Sequence, residues 1–283
     1  MKRLLVAWLP DGKRLHLKNG HVNMIVQAFG RPGEVGRAYD AAIARARELV
    51  FELGEDLPRL YENAAPQTIV ARRAAAACAE VPGALAPVTA LTGAVADEVL
   101  GAMVQAGQLD RGFANNHGAV ALHVAQGQSL SADIVDWPEY RRYEARVPIL
   151  YASRTRGLAA SGWNYDRFAL GCVDRIFTAA PTAAVAEAGL GAIASAMVAQ
   201  AGAKTVPANA LEPQSILGLL PVFPPLRDLE PAAVTDLIAR GREVAAPLYA
   251  SGIITLALMS LAEEVFFAAP PQFSLRSMLS LEV

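Results

Sequence analysis

Arg156-Gly157-Leu158-Ala159-Ala160-Ser161-Gly162-Trp163, running on to Gly171-Cys172-Val173-Asp174, is the stretch on which a reading of the fold turns. It sets a sharp turn, several glycines, a hydroxyl, aromatic rings and one carboxylate between two apolar runs. Leu158 to Ala160 and Val173 to Ala179 have the composition of short strands. Gly157 and Gly162 suit places where a backbone takes positive φ or approaches a neighbour closely. Ser161 to Arg167 is either a polar hairpin between core strands or a loop whose side chains touch a ligand.

Towards the N-terminus, Leu4 to Leu9 and Arg14 to Lys18 flank Asp11-Gly12, a hairpin signal, and Asn19-Gly20 turns into Val22 to Phe29. Three antiparallel strands are expected there. Gly30-Arg31-Pro32-Gly33 ends them, and a helix from about Val35 carries Tyr39, Ile43, Ala46, Val50 and Leu53 on one stripe, with Gly54 as its stop. Glu55 to Gln67 reads as a loop and Thr68 to Glu80 as an Ala-rich helix. Thr92 is placed to cap a helix with Val95, Val99 and Met103 facing inward and Gly107 at its end. Gly112 to Gly118 reads as turn chemistry at the mouth of a strand, Ala119 to Val124.

Further strands are expected at Leu130 to Val135 and Val147 to Ala152, around a polar loop with Trp137-Pro138. Pro181 to about Ala201 is a small-residue helix with Leu190, Ile193 and Met197 as its ridge and Glu187 as the formal charge along most of it. Lys204 to Pro225 is loop-rich, Glu230-Pro231 opens another helix, and Gly252 to Leu261 and Val265 to Ala268 close as strands. Residues 1–283 read as a single domain, or as two intimate halves.

Hydrophobic residues make up 53% and charged ones 18%, which argues for a large interior, a subunit interface, or both. A homo-oligomer is the expectation. A net charge of −2 gathers neither nucleic acid nor an anionic membrane, leaving a small molecule as the expected partner. Cys78 and Cys172 form no C-x-x-C pair, and the four histidines lack zinc-ligand spacing. Leu4 to Leu9 is too short for a secretory segment, and no stretch reads as long enough to span a membrane. The expected location is the cytoplasm.

Thr92-Gly-Ala-Val-Ala-Asp-Glu, Asn115-Asn-His-Gly-Ala-Val-Ala-Leu-His123, the Arg156 to Trp163 stretch and Leu170-Gly-Cys-Val-Asp174 resemble an uncharacterised branch of the ApbE-like proteins. The opening Leu-Pro-Asp-Gly-Lys-Arg-Leu-His-Leu extends the resemblance over nearly the whole chain. It implies an α+β, T-fold-like architecture of antiparallel sheets and packed helices, with a cleft sized for a flavin or nucleotide. ApbE proper binds FAD with magnesium and moves FMN onto a protein hydroxyl. Where that family tends to read Asn-Gly-Gly-Asp, this chain has Asn116-His117-Gly118-Ala119. Where it carries an Asp and a Thr four residues apart on a helix, this chain has Glu187 and Gly191. One oxygen donor of an Asp/Thr pair for a hard cation is thereby lost. Glu187 stays as a weak metal candidate, and FMN transfer is not expected.

His117, beside Asn115 and Asn116, suits general acid or base work near neutral pH; the bland alternative is an imidazole that caps a turn. Asp174 is either a catalytic carboxylate or half of a buried ion pair with Arg156 or Arg175. Ser161 lacks a nucleophile-elbow context, so its hydroxyl reads as a donor to a phosphate or carboxylate ahead of a nucleophile. Trp163 and Tyr165 offer rings for stacking, Arg156 a planar fork for an anion, and Asn115, Asn116, Gly118 and Gly162 backbone and amide contacts. Three functions follow. The first is an enzyme, with no full magnesium site, acting on a small planar or anionic molecule; a hydrolase of a cyclic amide fits as well as a lyase or isomerase. The second is a non-catalytic flavin- or nucleotide-binding protein, and the third a structural assembly subunit.

Overall fold

The computed structural model describes residues 4–62, 64–135, 143–198, 204–226, 229–262, 264–270 and 274–277. In chain order the elements are β1 (Leu5–Trp8), β2 (Leu15–Asn19), β3 (Val22–Gly30), α1 (Pro32–Tyr61), α2 (Ile69–Glu80), a short 3-10 turn (Pro87–Ala90) and α3 (Leu91–Ala106). Next come β4 (Leu109–Asn116), β5 (Ala119–Val124), β6 (Ser129–Val135), β7 (Tyr143–Leu150), β8 (Gly157–Ser161), β9 (Arg175–Ala180) and α4 (Ala183–Ala196). The chain closes with β10 (Val206–Pro207), α5 (Ala208–Leu211), β11 (Pro221–Val222), α6 (Pro231–Ala250), β12 (Leu256–Leu261), β13 (Glu264–Ala268) and β14 (Ser274–Ser277).

Nine strands form one antiparallel sheet in the order β1-β2-β3-β4-β5-β8-β9-β12-β13. Alternation along β2 and β3 sends Leu15, Leu17, Val22, Met24, Val26 and Ala28 to the core face, where α1, α3, α4 and α6 lie side by side. On the other face β6, β7 and β14 make a second sheet, and Val147 and Ile149 pack on Leu122, Val124, Leu158, Phe177, Leu256 and Leu258. The architecture is α+β, with antiparallel sheets and packed helices. Arg45 of α1 bonds Glu52 of the same helix at 2.5 Å and reaches Glu98 of α3 at 2.8 Å, while Arg73 of α2 holds the other oxygen of Glu98.

Several boundaries differ from expectation, each for a local reason. Helix α1 runs through Gly54 and Pro58 to Tyr61, because Asp56, Leu57 and Leu60 continue its buried face. Thr92 does not cap α3; the 3-10 turn from Pro87 leads straight into Leu91. Leu109–Asn116 is a full strand between β3 and β5, leaving His117-Gly118 as the turn. Thr182, whose side chain accepts from the Val185 amide, caps α4, and the helix ends at Ala196. Trp137-Pro138 and the expected end near Ala201 lie outside the described residues. Pro87–Ala106 is, contrary to expectation, long and apolar enough to cross a membrane by length and composition, with a mean hydropathy of 1.3. Since 67% of that window is buried in the fold, it is a core helix here.

Candidate functional site

Two hairpin turns meet at one end of the large sheet. The β4–β5 turn has His117 at φ 48° and Gly118 at φ 86°, the two left-handed central residues of a type I′ turn. Histidine tolerates that region better than most side chains, and neighbouring groups brace it. The Asn115 Oδ1 accepts from the Gly118 amide at 3.0 Å. The buried Asn116 accepts from the Asn23 amide at 3.0 Å and donates to the Thr92 carbonyl at 3.3 Å, tying the turn to β3 and α3. The β2–β3 turn is Gly20-His21, with Gly20 at φ 53°. Because Met24 pairs with Asn116 across β3 and β4, this second turn lies beside the first.

Between these turns, the end of β8, the middle of α4 and the Glu212–Leu217 segment lies a cleft of about 260 Å³. His117 and Ser161 both line it, so the two distant turns singled out in the sequence share one hollow. Glu187 and Leu190 of α4 and Thr89 and Thr92 contribute its floor, with Ala159, Ala160 and Phe168 as apolar wall. Lys18, His21, Asn23, Asp166, Glu212 and Gln214 are among the polar residues that also line it. The Ser161 hydroxyl donates to Asp166 Oδ2 at 3.2 Å.

The charges are set by burial. Desolvation lowers the pKa of His117 despite the nearby Glu212 carboxylate, and Lys18 lowers it further. Desolvation also lowers His21; the Gln214 backbone opposes it and His117 reinforces it. Two adjacent imidazoles are therefore held towards the neutral form. Burial raises Asp166 to about 6 against the Ser161 hydrogen bond, and Glu212 adds to the rise, although solvent reaching Asp166 screens part of it. Glu187, deep beneath the cleft with part of its surface open to it, is raised to about 8 by burial. Its Oε2 accepts from the Gly93 amide at 2.6 Å.

The remaining sequence candidates stand outside the lining of this cleft. Arg156 turns its guanidinium onto backbone carbonyls, with Tyr151 at 2.7 Å, Thr155 at 2.6 Å and Ser153 at 2.9 Å. Asp174 Oδ2 accepts from the Ala262 amide at 2.7 Å and fastens the β12–β13 turn. Trp163 donates its indole N–H to the Phe223 carbonyl at 2.9 Å, and Tyr165 is exposed. Gly162, at φ 123°, lets the loop fold against Asp174, whose carbonyl oxygen would stand 2.5 Å from a Cβ there. Asn115, Asn116 and Gly118 frame the turn that presents His117. Sequence reasoning missed His21, Asp166, Glu212 and Gln214. The Gly20-His21 pair between two strand runs was the available signal for the first of these.

A family model described as AbpE bacteria matches residues 6–267. The chain belongs to the AbpE bacteria family. No protein of curated function matches it. Among solved structures, it is similar to a point mutant of the flavin transferase ApbE from Vibrio cholerae, at 10% identity and a TM-score of 0.39, covering 90% of this chain and 96% of that one.

The magnesium that the ApbE resemblance implies can be tested against the residues this AbpE family chain carries. Glu187 is held towards its neutral form and has one oxygen on the Gly93 amide. Gly191, one turn on, offers no side-chain oxygen. Among the described residues no group of three or more His, Cys, Asp or Glu is arranged to hold a metal ion. These residues do not fit a magnesium ion. What they do offer is proton chemistry: two imidazoles held towards the neutral form, a serine hydroxyl on a carboxylate, and a buried carboxyl that keeps its proton to higher pH than usual.

Proposed function

We propose that the chain is a single-domain enzyme acting by acid–base chemistry, without a magnesium ion, on a small planar or anionic molecule held between the His117 turn and Ser161. The observation that carries this reading is that His117 and Ser161 line one cleft together with His21, Asp166 and Glu187. At about 260 Å³ the cleft sits just below the roughly 300–1,000 Å³ common for small-ligand pockets. That size favours a ligand of one ring system over a dinucleotide. Ser161 and a neutral Glu187 donate hydrogen bonds to carbonyl or carboxylate oxygens, and His117 moves the proton. Hydrolysis of a cyclic amide uses all of these groups: donors for the carbonyl, and an acid for the leaving nitrogen.

The test is ring opening of succinimide, hydantoin and related cyclic amides by purified wild type and His117→Asn. Removing a positioned acid or base costs about 10²–10⁴-fold in rate. Turnover by the wild type that falls by that factor in the variant supports the proposal. Equal rates in both proteins reject it.

A further inference from the structure

Beside the cleft, at the Gly20-His21 turn, lies a second hollow of about 290 Å³ that the proposed function does not use. One face of α1 forms most of it. Val50, Leu53, Gly54, Leu57, Pro58 and Tyr61 stand at i, i+3, i+4, i+7, i+8 and i+11, a single stripe along the helix. Leu53 and Leu57 are buried, while Tyr61 keeps 42% of its surface open. A Cβ at Gly54 would meet nothing within 4 Å, so the helix lacks a side chain where the hollow lies. Pro58, one turn on, has no N–H to offer the Gly54 carbonyl. Glycine and proline are the two residues least suited to a helix interior, and here they leave an apolar notch. No charged side chain lines it among the described residues. The hollow adjoins the cleft, since Gly20 and His21 line both, and Gly20 puts no side chain between them. On the other side the Tyr61 hydroxyl holds the carbonyl of Ile216, itself a cleft residue, at 2.8 Å.

We infer that this hollow is the subsite for an uncharged, apolar substituent of the small molecule whose reacting ring sits in the cleft. The inference rests on the proposed function above and narrows its substrate class to a cyclic amide with an aromatic or branched aliphatic arm on a ring carbon. An apolar cavity of roughly 150 Å³ is enough to take up benzene, so a benzyl-sized arm fits this one. The aliphatic stripe and the Tyr61 ring gain by covering such an arm, and a charged arm finds no counter-charge there. Gly54 is the specificity-determining position, because a side chain there takes the space the arm would fill.

The experiment is isothermal titration calorimetry of the full chain and of Gly54→Leu with hydantoin and 5-benzylhydantoin, alongside ring-opening rates on both compounds and the native mass of each protein. Leucine fills the hollow and replaces a helix-interior glycine with a strong helix former, so the variant should melt at or above the wild-type temperature. Wild type is expected to bind 5-benzylhydantoin about tenfold or more tighter than hydantoin, and in Gly54→Leu that ratio is expected to fall to about one. Equal affinities in the wild type, or a preference that survives Gly54→Leu, overturn the inference. A wild-type dimer that Gly54→Leu dissociates puts a second copy of the chain in the hollow and also overturns it. A preference lost in Gly54→Leu while neither compound is opened supports the subsite and removes the catalytic reading. Wild type that binds neither compound overturns both.

Discussion

Replacing Glu187 by glutamine should make the fold more stable, and increasingly so as pH rises. The carboxyl has an ordinary pKa of 4.5 and is raised to about 8 in the fold by burial. Between those values the unfolded chain gives up the proton and the folded chain keeps it. Stability therefore declines as pH rises through this window and levels off above about 8. At about 1.4 kcal/mol for each tenfold change in proton affinity, the cost to the wild type approaches about 5 kcal/mol above pH 8. Water entering the cleft lessens that figure, and half of it is still easily measured. Glutamine keeps an oxygen for the Gly93 amide and has no proton to lose. Asp97, raised to about 6 by burial against the Ala183 and Ala184 amides, adds a slope of the same sign at lower pH. Comparing the two proteins removes that slope, since both contain Asp97. Urea unfolding at pH 4.5, 6, 7 and 8 should show the variant's advantage growing from near zero to several kcal/mol. A difference that stays constant across the window would refute the reasoning.

Three other changes separate the parts of the account. His117→Asn puts a residue suited to left-handed backbone into the turn, so its urea midpoint should match or slightly exceed wild type while ring opening falls about 10²–10⁴-fold. Asp56→Ala removes a fully buried carboxylate that accepts from Thr68 at 2.6 Å and Gln67 at 3.0 Å, and should cost about 1–3 kcal/mol in urea unfolding. Burial pulls the Asp56 pKa up but those hydrogen bonds outweigh it, so its net-lowered pKa gives stability that is lost as pH falls below the ordinary carboxylate range. Tyr61→Phe deletes the hydroxyl that donates to the Ile216 carbonyl at 2.8 Å, and about 1 kcal/mol of lost anchoring should speed limited proteolysis of residues 208–220 about fivefold.

The fold was legible where pattern and burial agree. The β2–β3 hairpin alternates cleanly, and the stripe from Tyr39 to Leu53 gives most of α1. Glycine and asparagine misled at β4, because a strand interior between two partners holds Gly112 and Asn115 in the ladder regardless of their preference for turns. Gly54 and Pro58 misled at α1 for a related reason: tertiary burial of Leu57 and Leu60 continues the helix past residues that would end it in isolation. At the site, His117 and Ser161 could be read from their turns. Arg156 looked like an anion anchor, but nothing local to the sequence shows that four carbonyls surround it. Asp166 and Glu212 reach the cleft through the returning loop and the short β10–α5–β11 excursion, and that placement depends on tertiary contacts with no sequence pattern of their own.

The most direct test of the central claim is the rate of cyclic-amide ring opening by wild type and His117→Asn, measured after dialysis against a chelator. The account predicts full wild-type turnover without added magnesium and a loss of at least about 100-fold in the variant at unchanged stability. Turnover that needs magnesium, or that survives the substitution, would contradict it.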